Sequence, residues 1–144
     1  MTKSKIGELD AGGIYVGKSA TTGEDLHAAL ADESKYLTFD EAFQAAAEMR
    51  KQRGRENAHV PTLAELEFNL FANKDKGQLK GTFNTLSAKD HMYPEAAPYR
   101  SSHLYFGPRA NMREQSAWTV WFEDGFRDLA NGQKSIKLPV RLVW

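Results

Sequence analysis

The segment that most constrains this chain is Ala117-Trp-Thr-Val-Trp-Phe-Glu-Asp-Gly-Phe-Arg-Asp-Leu129. Apolar and polar residues alternate on both sides of Asp124-Gly125. That pattern predicts a tight β-hairpin. A type I′ turn needs positive φ at both central positions, and Asp-Gly tolerates this better than most pairs. The spacing predicts strands over 117–123 and 126–130. A second apolar run, Leu138-Pro-Val-Arg-Leu-Val-Trp144, predicts a closing strand over 138–144. Trp118, Val120 and Phe122 share one strand face, as do Val140, Leu142 and Trp144. These aromatics read as the packed side of a sheet rather than as a ligand box.

Two helix starts are written upstream. Thr38-Phe-Asp-Glu41 and Thr62-Leu-Ala-Glu65 are capping boxes, in which the threonine oxygen and the glutamate each satisfy an orphan backbone N–H. The first helix is expected to run to about Arg53, with Gly54 at its exit. Phe39, Ala42, Phe43, Ala46, Ala47 and Met49 fall close to one stripe. The second is expected to end near Asn73, with Leu63, Leu66, Leu70 and Phe71 inward. Residues 12–30 read as two short strands around a glycine-containing turn. Residues 74–98 are a long irregular stretch, and 99–106 a strand. The expected class is α+β: two helices packed on small antiparallel sheets with long loops. Residues 1–11 read as a tail and 12–144 as one domain, since 144 residues can bury a core without covalent staples.

Composition removes several function classes. With 19 basic and 19 acidic residues the net charge is zero, so nucleic acid is not an expected partner. The cluster of Arg50, Lys51, Arg53 and Arg55 reads as a solvated helix end. There is no cysteine, which excludes disulfides, thiolate zinc sites and cysteine catalysis. No apolar run approaches the roughly 20 residues that span a bilayer, so no membrane segment is expected. The first ten residues have no apolar core of a signal peptide, and the chain is expected to be cytoplasmic. Gly12, Gly13 and Gly17 lack phosphate-loop spacing. His27, His59, His91 and His103 form no ligand pair by spacing, so neither a metal nor a cofactor is expected.

Several motifs recur in one order. They are Gly13-Ile-Tyr-Val-Gly17, Leu37-Thr-Phe-Asp-Glu-Ala42, Val60-Pro-Thr-Leu-Ala-Glu-Leu66, Tyr99-Arg-Ser-Ser102, Ala117-Trp-Thr-Val-Trp-Phe-Glu-Asp-Gly125 and Pro139-Val-Arg-Leu-Val143. Together they resemble a bacterial C-type-lectin-like family, that of the C-terminal domain of Legionella collagen-like adhesins and of small bacterial and phage proteins. It is a distant relative of the formylglycine-generating-enzyme superfamily. The resemblance spans 12–144. Here Ala58-His59 stands where the family has Trp-Arg, and Arg100 where it has tryptophan. The resemblance implies a single C-type-lectin-like domain that presents variable loops from a packed scaffold.

A calcium-dependent sugar site is not expected: calcium needs six to eight oxygen ligands, and the Glu-Pro-Asn or Gln-Pro-Asp and Trp-Asn-Asp signatures are absent. Oxidase chemistry of the related superfamily uses cysteines, which this chain lacks. Ser101 and His103 could share a strand face, which leaves a small hydrolase as one alternative. The better-supported reading is a non-enzymatic module that binds a macromolecule, first a protein, through the loops between Lys74 and Ser116. Tyr93, Arg100, His103, Tyr105, Arg109 and Arg113 are its candidate contacts, because Tyr and Arg are enriched at interfaces. Arg100 could pair bidentately with a carboxylate or sulfate. An adhesin-like binder of acidic or sulfated polysaccharide is the other alternative. Exposed strand edges add an expectation of homo-oligomers.

Overall fold

Both capping boxes form, and each starts a helix. In the computed structural model of the chain, residues 4–52, 55–84, 98–105, 115–129 and 132–144 are described. Thr38 Oγ1 accepts from the Glu41 N–H at 3.3 Å, and Glu41 accepts from the Thr38 N–H at 2.9 Å. Helix α1 (Phe39–Arg50) follows, burying Phe39, Ala42, Ala46 and Met49. The small alanines let its backbone approach Val140, Leu142 and Trp144 closely. Phe43, expected inward, is 40% exposed and leans on Phe39 with ring centroids 4.8 Å apart.

The second helix departs from its expected form. Only Leu63–Glu65 (α2) is α-helical; Leu66–Leu70 widens into a π turn and Phe71–Asn73 tightens into a 3-10 turn. Leu63, Leu66 and Leu70 still point inward, so the apolar stripe is kept while the hydrogen-bond period changes.

Two three-stranded antiparallel sheets complete an α+β fold. The first is β1 (Leu9–Asp10), β2 (Gly13–Lys18) and β3 (Asp25–Ala28). Leu9 and Asp10 pair with Ile14 and Gly13, so residues expected as a free tail belong to the sheet. The second is β4 (Pro98–Leu104), β5 (Ala117–Trp121) and β6 (Arg127–Asp128). Val120 and Phe122 are buried on one face with Tyr99, and Trp118 packs beside them.

The terminal hairpin forms with a wider loop than expected. Thr119 pairs with Asp128 and Val120 with Arg127. The Trp121 N–H donates to the Phe126 carbonyl at 2.9 Å, leaving four residues between. Of Asp124 and Gly125, only Gly125 has positive φ, at +79°. This is therefore not a type I′ turn. Asp124 Oδ1 accepts from the Phe126 N–H at 3.0 Å, and the Gly125 N–H reaches the Trp121 carbonyl at 2.8 Å. A Cβ on Gly125 would sit 2.7 Å from Phe71, so glycine is needed here for space as well as for φ.

The segment 138–144 is extended but is no ladder strand. Leu138 bridges Leu37, and Val143 bridges both Ala28 and His59. Val140, Leu142 and Trp144 face the α1 cluster, while Val143 faces the larger cluster under the sheets. Arg141 also lies on that second side, fully buried. Its guanidinium donates to Asp32 Oδ1 at 2.9 Å, the Ala29 carbonyl at 3.2 Å and the Thr82 carbonyl at 2.7 Å. The Phe83 ring lies 4.2 Å from its central carbon. The Tyr99 hydroxyl donates to the other Asp32 oxygen and accepts from the Asn84 N–H. Burial, then the negative charge of Asp32, pushes the Tyr99 phenol well up, so it stays a donor.

Removing one partner of a buried pair strands the other charge. Arg141→Ala is expected to cost about 3–5 kcal/mol in urea unfolding, and Asp32→Asn less, because an amide oxygen still accepts one bond. A loss below about 1 kcal/mol for Arg141→Ala would show that the pair is not needed.

Candidate functional site

The turn after β2 is sewn to the start of the second helix by polar side chains. The Ser19 hydroxyl, 4% exposed, donates to Glu65 Oε2 at 2.6 Å. The same oxygen of Ser19 accepts from the Thr21 and Thr22 N–H groups at 3.1 Å each. Asn69 accepts from the Ala20 N–H at 2.9 Å and donates to the Val16 and Lys18 carbonyls, both at 2.8 Å. Asn69 lies within the π turn, and both polar atoms of its side chain face the 16–20 backbone. Thr21 and Thr62 share a hydroxyl contact at 2.6 Å.

Glu65 is the centre of this seam. It is 1% exposed and carries its capping role together with two further bonds. Oε1 accepts from the Thr62 N–H at 3.0 Å and faces His59 Nε2 at 2.9 Å. Burial alone would raise its pKa. The bonds from His59, Ser19 and Thr62, with the charge of His59, outweigh that and hold it below its ordinary 4.5. His59 faces acceptors on both sides, because its Nδ1 lies 2.7 Å from the Asn57 carbonyl. A neutral imidazole has one donor and one acceptor; two acceptors call for the imidazolium. Burial disfavours that charge, but the bonds to Glu65 and Asn57 and the Glu65 charge win, and its pKa lies above 6.5.

His59 and Glu65 line a cleft of about 290 Å³ with Thr22, Glu24, Asp25 and Asn57; Leu26 and Trp144 supply an apolar wall. Among the described residues, lysine and arginine are absent from its lining. Asp25 meets Lys18 at 2.9 Å and the Tyr15 hydroxyl at 2.8 Å on the rim. The Trp144 indole is covered on one side by the Arg55 guanidinium, 4.4 Å from the ring centroid. The volume is at the small end for ligand pockets and suits a single side chain or small group.

Of the expected contacts, Arg100, His103 and Tyr105 are not among the residues that line this cleft. Arg100 is fully buried, donating to the Gln133 and Ile136 carbonyls, so it is a packing residue and not a surface anchor. The reason is the place of β4. It pairs with β5 on one side, while Arg100 N–H donates to Pro139 and Ser102 N–H to Pro61 on the other. His103 is exposed near the end of β4, and Tyr105 packs edge-on against Trp118 with centroids 6.3 Å apart. Tyr93, Arg109 and Arg113 lie outside the described residues. Ser101 is fully buried and its hydroxyl donates to the Trp118 carbonyl at 2.5 Å. A Ser101–His103 nucleophile pair is therefore not assembled: the hydroxyl is inside and the imidazole outside. In the Ser19–Glu65–His59 group the hydroxyl bonds one carboxylate oxygen, Oε2, and the imidazole the other, Oε1.

The sequence shows Glu65 only as a cap, and His59 as a departure from the family pattern and one of four histidines without ligand spacing. Ser19, Glu24 and Asp25 carried no signal, since 46 residues separate Ser19 from Glu65. Among the described residues, no group of three or more His, Asp or Glu side chains is placed to hold a metal ion. No described helix is long and apolar enough to cross a membrane. Compared with known proteins, the chain matches no family model, and no curated protein matches it.

The pair should leave a signature in stability against pH. The raised pKa of His59 stabilises below 6.5 and is lost as pH rises through its folded value. The lowered pKa of Glu65 stabilises above 4.5 and is lost as pH falls through its folded value. Their contributions overlap fully between pH 4.5 and 6.5. His59→Ala is expected to cost about 1–2 kcal/mol in that window and less at pH 9, a modest figure because a third of the imidazole meets solvent. Urea unfolding at pH 5.5 and 9 checks it; an equal loss at both would remove the charged pair from the account.

Proposed function

We propose that the chain is a non-enzymatic binding module on a C-type-lectin-like scaffold, recognising a protein by seating one of its basic side chains in the His59–Glu65 cleft. The observation that carries this reading is the lining. Glu24, Asp25 and Glu65 contribute three carboxylates, Glu65 offset by His59 and Asp25 by Lys18 at the rim, with no lysine or arginine among the described lining residues. Glu24 and Asp25 are exposed at the mouth, where they can meet an incoming cation. Leu26 and Trp144 offer apolar surface to the methylene stem of a lysine. Charges so placed act mainly on encounter and specificity. The α+β frame of two small antiparallel sheets agrees with the scaffold that the sequence motifs resemble. Tyr93, His103, Tyr105, Arg109 and Arg113 belong to the reading as a second contact area, argued from residue type alone.

A short acetylated and amidated peptide with one central lysine is the probe. It should shift the amide signals of Glu24, Asp25, Leu26 and Asn57. A Glu24→Gln, Asp25→Asn double variant should bind at least about tenfold more weakly while unfolding at the same temperature. Unchanged affinity would remove the cleft from the reading.

A binder of acidic or sulfated polysaccharide is the second reading. It is favoured by a shallow basin of about 420 Å³ lined by Ser34, Lys35, Tyr36 and Lys137. Heparin retention that falls with Lys35→Ala and Lys137→Ala would support it; elution at low salt by the unaltered protein would end it.

A further inference from the structure

We infer that His59 is a proton-operated clasp on the cleft, joining the 57–60 segment to the seam at Glu65 when both ring nitrogens carry hydrogen and opening when one is lost. The affinity arm of this inference rests on the binding reading above; the clasp itself stands on geometry.

Asn57 O lies 2.7 Å from Nδ1 and Glu65 Oε1 lies 2.9 Å from Nε2. Each of these oxygens can only accept. Either neutral tautomer therefore sets a ring lone pair against an oxygen lone pair at hydrogen-bond distance. One of the two contacts must open.

The surroundings decide which parts can move. Glu65 is held by Thr62 and Ser19 inside a capped helix start. The His59 backbone is tied to Val143 by two bonds, at 2.8 and 3.1 Å. Asn57 is exposed in a turn. The imidazole and the turn at Asn57 are thus the free parts, and both form one wall of the cleft.

The charges around His59 favour one direction of control. Glu65 faces it from the second helix, and Glu24 and Asp25 line the same cleft. Arg50 of α1 donates to the Ala58 carbonyl next to it and opposes its charge. Lys18 sits on Asp25, and Arg55 on Trp144. Loss of the His59 proton removes the positive charge beside Glu65 and makes the cleft more negative, while Lys18 stays on Asp25 at the rim. A basic side chain should bind more tightly above that transition.

The test is an NMR pH titration of the whole chain, followed by titration of the single-lysine peptide at pH 5.5 and 8.5. The His59 ring, the Asn57 amide and the amides of Thr21 and Thr22 should move on one midpoint. Peptide affinity should rise about threefold to tenfold across it, the effect of removing one nearby positive charge. In His59→Gln both the shared midpoint and the rise should vanish. A His59 transition that leaves Asn57 unmoved overturns the clasp, and the unaltered protein suffices for that result should the variant not fold. Equal peptide affinity at the two pH values also overturns control by His59. A shared midpoint without peptide binding at either pH supports the clasp and sinks the binding reading instead.

Discussion

The buried pair of Arg141 and Asp32 is the constraint on which the rest of the structure depends. One guanidinium ties residues 29, 32 and 82 together, and the carboxylate it neutralises also holds Tyr99 of β4. Neither charge could be left in the interior alone, since an unpaired buried ion costs several kcal/mol. Four separate stretches of chain are thereby required to meet at one point. That requirement explains why 138–144 threads between elements instead of lying at a sheet edge. Its alternate residues serve two clusters, and the one charged residue among them meets acceptors at Asp32, Ala29 and Thr82.

The polar seam at Glu65 works in a related way, nearer the surface. A capping box usually spends its glutamate on one backbone N–H. Here the same carboxylate also takes Ser19 and His59. The π turn that follows places Asn69 against the 16–20 backbone, so the widened helix and the strand turn are parts of one arrangement. The seam is ordered where it is buried and offers carboxylates where it meets solvent. Both the proposed basic-side-chain site and the proposed pH response rest on this composition, three carboxylates and one imidazole among the described lining residues.

Much of the fold was legible because its signals are local. Thr38 with Glu41, and Thr62 with Glu65, each lie within one helical turn, so nearest-neighbour chemistry fixes them. Trp118, Val120 and Phe122 betray a buried strand face by alternation alone. The details that failed depend on partners distant in sequence. Gly125 is held by Phe71 as well as by its own turn. Arg100 reads as a surface anchor in the sequence because arginine is enriched at interfaces, yet carbonyls at 133 and 136 meet it inside. Leu9 and Asp10 gave no strand pattern, because pairing with β2 is what orders so short a piece.

The sequence by itself determined the α+β class, the two helix starts and the apolar faces, since these follow from side-chain period and from hydrogen bonds between residues three or four apart. Only the tertiary structure decided where the polar groups meet. Ser19, His59 and Glu65 come together through the packing of a strand turn on a capped helix. Whether a buried carboxylate acts as cap, ion-pair partner or cleft wall depends on what lies within about 3 Å of it, and no local pattern in the chain encodes that distance.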